Sequence, residues 1–298
     1  MKYGHFDNER REYVITRPDT PRSWTNYLGD RQYGAVITNH GGGYSFHQSA
    51  AQGRFLRLRF NSIPMDQPGR YFYLKDRETN DYWSPGWQPV GKSLSEQETI
   101  CRHGAAYTIL ESSYREVAAE VTYFVPLGEA FEYWRLRVTN KSDREKQIEV
   151  FTYAEFATNW NIHQDLVNLQ YSQYCGSVTW RDGMVRAAVL DQLPSDPDNF
   201  SNIDQGRWTY MLLEGADVES YELDRERFIG PYRQYSNPRA VETGLLGNSV
   251  ADGDNGCGGM KTILPLQPGE TREIRVLLGV GKAEEEGIEK REQFGSAQ

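Results

Sequence analysis

Short runs of alternating apolar and polar residues, separated by turn sequences, dominate this chain and limit the folds open to it. Side chains on a β-strand point alternately to its two faces, so a period of two predicts a strand with one buried face. Such runs occupy residues 54–60, 70–76, 120–125, 132–138, 147–153 and 271–278. Turn sequences lie at 140–143 (NKSD) and 267–270 (QPGE). With almost no helical periodicity, the pattern predicts an all-β chain folded as a large antiparallel β-sandwich.

The clearest helix candidate is the tail, residues 283–292. Acidic residues come first and basic residues later, an order that suits the helix dipole. The segment contains a single large apolar residue, Ile288, and therefore has little to bury on its own. We expect this helix to begin a further structural unit and to lack a packing partner within the chain.

Charge and composition exclude several classes of function. The net charge of −9 argues against nucleic acids and anionic membranes as partners. No run approaches the roughly 20 apolar residues that span a bilayer, and the N-terminus lacks the apolar stretch of a signal peptide. Three widely spaced cysteines without a CxxC motif argue against structural disulfides and zinc sites. We therefore expect a cytoplasmic protein.

A glycine turn, residues 41–43, is followed directly by Tyr44, Ser45, Phe46 and His47. Glycines allow positive φ angles and the close approach of another chain segment or a ligand. One interpretation is an ordinary β-hairpin whose aromatic residues belong to the core. The other is a hairpin tip that presents His47 and its neighbours to a sugar.

Motifs for nucleophilic catalysis, zinc binding and phosphate binding are missing from the sequence: there is no GxSxG, HExxH or P-loop. The five histidines lack metal-ligand spacing, so no metal site is predicted. A glycosidase needs a pair of carboxylates, and Glu155 and Asp165 near the aromatic stretch 151–160 are candidates. A complete hydrolase or mutarotase would need such a pair, or a histidine, in a cleft of the sandwich.

Two segments have the composition of a sugar-binding surface. Residues 160–172 combine amides with His163 and aromatic rings. Amides hydrogen-bond to sugar hydroxyls and aromatic faces stack on a pyranose, but a polar loop pinned by its own side chains has the same composition. Residues 81–89 contain Trp83 and Trp87, for which burial in the core is favoured because tryptophan buries so much area.

Several stretches, in order from residue 1 to about 281, resemble the glycoside phosphorylases of glycoside hydrolase family 94. The stretches are residues 3–7, 11–16, 21–29 (PRSWTNYLG), 42–46, 69–71, 81–85, 102–104, 124–126, 224–225, 228–230 and 248–249. This family contains the cellobiose, cellodextrin, laminaribiose and diacetylchitobiose phosphorylases.

The resemblance implies a galactose-mutarotase-like supersandwich over residues 1–281. Residues 282–298 would begin a helical linker to an (α/α)6 catalytic barrel that this sequence does not include. The implied reaction is phosphorolysis with inversion: inorganic phosphate, a co-substrate, attacks the anomeric carbon while an Asp of the barrel protonates the leaving oxygen. No cofactor and no catalytic residue is expected in these 298 residues.

Family members are homodimers in which the sandwich of one subunit reaches the active site of the other. The resemblance places the substrate-contacting residues in two segments: Tyr44, His47, Gln48, Asn168, Gln170 and Tyr171. His47 stands where many members have Tyr, and Tyr171 where cellobiose phosphorylases have Arg, so the acceptor sugar stays open among β-linked disaccharides and oligosaccharides. The leading hypothesis is a phosphorylase domain, inactive alone, that works with a barrel on the same or a separate chain. The alternative is a stand-alone carbohydrate-binding module.

Overall fold

The computed structural model describes residues 2–58, 66–158, 161–167, 174, 176–189, 208–281 and 286–295. Within these ranges the strands form three sheets in which every strand pair is antiparallel. The all-β sandwich expected from the alternating runs is confirmed.

The largest sheet has eleven strands. In spatial order they are β1 (Gly4–Asp7), β2 (Glu12–Ile15), β8 (Gln97–His103), β9 (Tyr107–Tyr114), β10 (Val117–Phe124), β11 (Phe131–Asn140), β19 (Thr271–Gly281), β15 (Trp208–Glu214), β14 (Met184–Val189), β13 (Gly176–Arg181) and β17 (Ala251–Asp252).

Two smaller sheets accompany it. The five-stranded sheet contains, in order, β16 (Ser220–Asp224), β18 (Gly256–Leu266), β12 (Lys146–Tyr153), β6 (Tyr71–Asp76) and β7 (Tyr82–Trp83). The three-stranded sheet contains β3 (Thr25–Gly29), β4 (Tyr33–Thr38) and β5 (Gly43–His47). The helices are α1 (Ile162–Val167), α2 (Arg225–Ile229), α3 (Arg239–Thr243) and α4 (Glu286–Lys290), which continues as a π-helix (Arg291–Gly295).

The main core lies between the large sheet and the two smaller ones. Phe72 of β6 meets Trp134 of β11 edge to face, with ring centroids 5.9 Å apart. Tyr33 of β4 donates a hydrogen bond from its hydroxyl to the carbonyl oxygen of Leu278 in β19, at 3.4 Å. Burying apolar area of this kind is the main stabilising contribution to a domain of this size.

Strand β6 departs from the half-buried pattern that its alternation predicted. All of its residues are buried, because the segment containing α2 and α3 covers the outer face of the five-stranded sheet. Phe228 of α2 and Val241 of α3 belong to this second core. Even Lys75 is buried, and its ammonium donates to the carbonyl oxygen of Glu242 at 2.7 Å.

The prediction of a half-buried strand over residues 54–60 is wrong for its described part, residues 54–58. That segment makes only isolated bridges, Arg54 to Phe46 and Leu56 to Phe156. Its basic side chains do not point to solvent: Arg54 and Arg57 are 0% and 3% exposed. Buried carboxylates pair with them, and local alternation gives no sign of these partners.

The tail helix, contrary to expectation, has a packing partner. Helix α4 and the π-helix cover the outer face of the large sheet, where Phe294 lies 5.1 Å from Phe131 between ring centroids. The hydroxyl of Tyr133 donates to the carbonyl oxygen of Phe294 at 3.0 Å, and Lys290 forms an ion pair with Glu129 at 2.7 Å. The apolar partner that the tail needs is supplied by the sheet rather than by the helix itself.

Candidate functional site

The glycine turn closes the hairpin between β4 and β5 and is itself buried. Gly41 and Gly43 have φ angles of 81° and 115°, a region that side-chain-bearing residues rarely adopt. A Cβ atom on Gly42 would lie 2.4 Å from the carbonyl oxygen of Asp66. The segment that approaches these glycines is therefore the chain's own, beginning at Asp66, whose carbonyl also accepts from Gly43 N at 2.9 Å.

Strand alternation separates the side chains that follow the glycine turn. Ser45 points into the sandwich, where its hydroxyl donates to Glu132 Oε2 at 2.7 Å. Tyr44 therefore lies on the outer face of β5, whereas His47, opposite the buried Tyr33, lies on the inner face at the far end of the strand. His47 is thus not at the hairpin tip, and Tyr44 and His47 face opposite sides of the sheet.

The far end of β5 meets the second segment predicted to bind sugar. A compact loop, residues 48–53, follows His47. Within this loop the carbonyl oxygen of Ala51 accepts a hydrogen bond from Ile162 N at 2.9 Å. Gln52 Oε1 accepts from the side chain of Asn161 at 2.8 Å. The exposed Gln48, at a φ of 58°, hydrogen-bonds to Gln32 through its amide at 2.9 Å. The loop after His47 and helix α1 therefore lie side by side.

Asn168, Gln170 and Tyr171 lie outside the described residues. Helix α1 ends at Val167, directly before them in the chain. Their contact with a sugar stays a prediction, as do the contacts of Tyr44, His47 and Gln48.

The two carboxylates considered for catalysis belong to a buried charge cluster formed by Arg54, Arg57, Glu155 and Asp165. Glu155 and Asp165 are 1% and 2% exposed. Asp165 Oδ1 accepts from Arg57 Nη2 at 2.9 Å and its Oδ2 accepts from Arg54 Nη2 at 3.3 Å. Glu155 is paired with Arg57 at 3.4 Å and with Arg225 at 3.1 Å. Both carboxylates are enclosed by cations rather than facing a cleft.

The electrostatics of Asp165 oppose a role as general acid. Burial favours a higher pKa, but the positive charge of Arg57 and the hydrogen bonds from Arg57 and Thr158 outweigh it. The pKa of Asp165 consequently lies below its ordinary value, and the group is ionised at neutral pH. Its chemistry is that of an acceptor that fixes α1 to the sandwich.

Arg54 connects this cluster to Tyr44. Its guanidinium carbon lies 5.8 Å from the centroid of the Tyr44 ring, within the range of a cation–π contact. The same guanidinium is hydrogen-bonded to Asp165 of α1. One buried cation therefore positions both Tyr44 and helix α1, which directly precedes residues 168–171.

The outer face of β4 and β5 forms one wall of an open groove of about 900 Å³, named here the Tyr44 groove. This volume lies within the size range of small-molecule sites. The described residues that line the groove come from β4, β5 and three loops: Pro18, Asp19, Thr20, Pro21, Arg22, Ser23, Thr25, Val36, Thr38, His40, Gly43, Tyr44, Leu58, Asp66, Trp87 and Gln88. Of the residues predicted to contact sugar, only Tyr44 is among them.

The floor of the Tyr44 groove is polar. Thr38 Oγ1 donates to Asp66 Oδ2 at 2.7 Å. His40 Nδ1 lies 3.2 Å from the carbonyl oxygen of Gly86, which can only accept, and its Nε2 lies 3.3 Å from the amide nitrogen of Asn39. This arrangement fixes a neutral imidazole, and burial lowers the pKa of His40 although Asp66 and Gly86 act in the opposite direction.

The two tryptophans of residues 81–89 have different environments. Trp83 is 1% exposed and packs against Tyr114 with ring centroids 5.2 Å apart, so burial in the core is confirmed for it. Trp87 is only half-buried and lines the Tyr44 groove. Its indole nitrogen donates to the carbonyl oxygen of Lys92 at 2.7 Å, which fixes the ring. For Trp87 the sequence favoured burial in the core, and Asp66 was not selected from the sequence at all.

No group of three or more His, Cys, Asp or Glu side chains in the described part of the chain is arranged to hold a metal ion. Cys101 and Cys257 are buried free thiols. Among the described residues no helix is both long enough and apolar enough to cross a membrane.

Several of the motifs that carry the family resemblance contact one another. The amide of Asn26, within PRSWTNYLG, donates to the carbonyl oxygen of Gly104 at 2.9 Å. Gly42 forms an antiparallel bridge with Gly69. These motifs are therefore joints between segments of the sandwich that are far apart in sequence.

Comparison with known proteins gives a consistent result. Residues 11–297 match the family model described as the glycosyl hydrolase 94 supersandwich domain. The chain is 41% identical over 288 residues to N,N'-diacetylchitobiose phosphorylase of Vibrio proteolyticus, covering 97% of this chain and 34% of that protein. It is 29% identical to solabiose phosphorylase of Paenibacillus borealis, covering 95% of this chain and 35% of the relative. The chain thus spans about a third of the length of these relatives.

Among solved structures, a bacterial glucoamylase in complex with acarbose superimposes with a TM-score of 0.51 at 6% identity. The match covers 96% of this chain and 38% of the glucoamylase chain. At this identity the likeness concerns the fold alone.

Proposed function

Because this chain belongs to the glycosyl hydrolase 94 family and contains its supersandwich domain, we propose that it is the N-terminal third of an inverting phosphorylase that cleaves a β-linked disaccharide with inorganic phosphate. The observation that carries the proposal is the combination of near-complete coverage of this chain with coverage of only 34% of a phosphorylase at 41% identity. Such a match relates the chain to one part of a larger enzyme.

The division of labour follows from the charge cluster. Glu155 and Asp165 are engaged by arginines, so neither is placed to protonate the leaving oxygen. We place the general acid and the phosphate-binding groups in the part of the longer relatives that this chain does not cover. The catalytic barrel belongs to the same polypeptide or to a separate chain.

For the substrate we propose a disaccharide of N-acetylated amino sugars. The relative at 41% identity is named for diacetylchitobiose, whereas the one named for solabiose is 29% identical. Higher identity in the supersandwich favours the first sugar class, since this domain is proposed to contact the acceptor. Cellobiose and laminaribiose serve as comparison substrates.

The supersandwich has two proposed roles in this enzyme, which would act in the cytoplasm as a homodimer. His47 and Gln48 contact the acceptor sugar in the partner's active site, together with Asn168, Gln170 and Tyr171, whereas Tyr44 lies on the opposite face of β5. In support, the loop that follows His47 packs against α1, so the two segments start from neighbouring positions. The second role is to supply part of the dimer interface.

The test is a phosphorolysis assay that follows sugar 1-phosphate formation from diacetylchitobiose and inorganic phosphate. We expect no turnover by the 298-residue chain and turnover when the same chain is extended by the remaining two thirds of the diacetylchitobiose phosphorylase. Turnover by the 298 residues alone would refute the division of labour. Saccharide binding without turnover by the extended protein would favour the alternative, a stand-alone carbohydrate-binding module.

A further inference from the structure

Asp66 is a buried carboxylate whose surroundings do not satisfy it. The residue is 5% exposed. Its Oδ2 accepts from Thr38 Oγ1, but its Oδ1 has no hydrogen-bond partner, and Asp66 forms no ion pair within the described part of the chain. Burying an ionised carboxylate without compensating donors is costly, so an orphaned oxygen of this kind calls for a physical explanation.

The glycine turn holds Asp66 in this position. The Oδ2 atom would lie 2.6 Å from a Cβ atom on Gly42, so any other residue there would push the carboxylate away. The carbonyl oxygen of Asp66 accepts a hydrogen bond from Gly43 N at 2.9 Å. Three consecutive glycines thus hold Asp66 at the floor of the Tyr44 groove, which this residue lines together with Thr38.

The walls of the Tyr44 groove supply a complementary surface. Trp87 and Tyr44 both line it, and each ring is held by a separate contact, the indole N–H to Lys92 and the phenol ring to Arg54. Trp87 also has a φ of 68°, a conformation that bulky residues rarely adopt and that recurs at functional sites. Fixed aromatic rings beside a carboxylate acceptor match a ring-shaped ligand with apolar C–H faces and hydroxyl donors.

We infer that the Tyr44 groove is a pyranose-binding subsite in which Asp66 accepts hydrogen bonds from sugar hydroxyl or acetamido N–H groups and Trp87 and Tyr44 pack against the ring. The identification of the ligand as a sugar rests on the proposed function. The subsite is distinct from the His47 and Gln48 end of β5, because Tyr44 faces outward and His47 inward. It is built from residues of this chain alone, so it needs no catalytic barrel.

The test is calorimetric titration of the 298-residue chain with N,N'-diacetylchitobiose and with cellobiose. Asp66→Asn keeps the shape of the side chain but replaces one acceptor oxygen by an NH2 group, and Trp87→Ala removes the ring. Each change should weaken binding at least about tenfold, the loss expected for a hydrogen bond to a charged group or a buried aromatic contact. Trp180→Ala is the matched control, since Trp180 is a half-buried ring stacked 4.7 Å from Tyr221 outside the groove.

Thermal unfolding without sugar separates binding from structure. Asp66→Asn should not lower the unfolding temperature, because Asp66 forms no ion pair within the described part of the chain and asparagine keeps an oxygen acceptor for Thr38. The inference is overturned if the unmodified chain binds neither saccharide, if Asp66→Asn binds like the unmodified chain, or if choline, a cation probe, binds in place of the saccharides. Any of these results with phosphorolysis intact in the extended protein would leave the proposed function standing.

Discussion

Replacing Asp165 by alanine should destabilise the whole domain, because it removes the acceptor that two buried arginines share. Arg57 donates to this carboxylate through Nη2 at 2.9 Å and Nε at 3.4 Å, and Arg54 donates at 3.3 Å. The hydroxyl and the backbone N–H of Thr158 add two contacts at 2.9 Å. All these groups would be left in a site that water does not reach.

The loss in the free energy of unfolding depends on which buried charges lose their partners. Breaking a buried ion pair by removing one side costs about 3–5 kcal/mol, since the other charge stays buried. Arg57 keeps Asn255 at 2.7 Å and Glu155 at 3.4 Å, which limits the loss on its side. We therefore expect Asp165→Ala to lower the free energy of unfolding by about 3–4 kcal/mol, a large part of the roughly 5–15 kcal/mol typical of a domain.

The assay is urea-induced unfolding at neutral pH, followed by tryptophan fluorescence and by circular dichroism. Glu78→Ala is the matched control, because the Glu78–Arg144 pair at 3.1 Å has both side chains 55% exposed and should contribute less than about 1 kcal/mol. Thr158→Val, which removes the hydroxyl contacts to Asp165 at 2.9 Å and from Arg57 at 3.0 Å, should cost about 1–2 kcal/mol and gives a milder variant. A loss for Asp165→Ala no larger than that for Glu78→Ala would refute the reasoning.

The stability difference between the unmodified chain and Asp165→Ala should also depend on pH. Because the folded pKa of Asp165 lies below its ordinary value of 3.8, its ionised form stabilises the fold above that pH. The contribution is lost as pH falls through the folded pKa. The difference between the unmodified chain and Asp165→Ala should therefore be constant near neutrality and shrink in acid.

Three further predictions concern other parts of the sandwich. Burial lowers the pKa of His103 from 6.5 to about 4, although a hydrogen bond to Trp24 acts in the opposite direction. As the pH falls, the unfolded chain therefore binds the proton before the folded chain does, and the free energy of unfolding should fall by up to about 3 kcal/mol between pH 6.5 and 4. His103→Gln should remove this pH dependence when urea unfolding is measured across the same range. Gly42→Ala should lower the free energy of unfolding in urea by about 1–3 kcal/mol, because its Cβ would lie 2.4 Å from the carbonyl oxygen of Asp66. Gly269 has a φ of 74° but open space around its Cβ position, so Gly269→Ala should cost only about 1 kcal/mol. Equal losses for the two variants would contradict the close-packing argument. Phe294→Ala should speed proteolysis within 286–295 without changing the rest of the digestion pattern, since it removes the 5.1 Å contact with Phe131; an unchanged rate would show that the aromatic contact does not hold the tail.

The sequence predicted the class of fold because strand alternation and turn composition are local properties. Strands β10, β11 and β12 were located to within a few residues. The alternation of β5 also implies that Tyr44 and His47 lie on opposite faces, a consequence that the sequence interpretation did not draw. The ordered motifs pointed to the family, which the match over residues 11–297 established.

Only the tertiary structure decided which segments meet. The partner of Gly42 is Asp66, that of Arg57 is Asp165, 108 residues away, and that of Phe294 is Phe131. An alternating pattern shows that a strand has one face to bury but not what covers the other face, so it misplaced the two arginines. The single large apolar residue of the tail, Ile288, likewise gave no sign that the sheet supplies a packing partner. Burial of a charge is stable only when an opposite charge or a donor arrives from elsewhere in the chain. That pairing depends on how the sheets stack, and the same stacking buries the glycine turn against the carboxylate of Asp66.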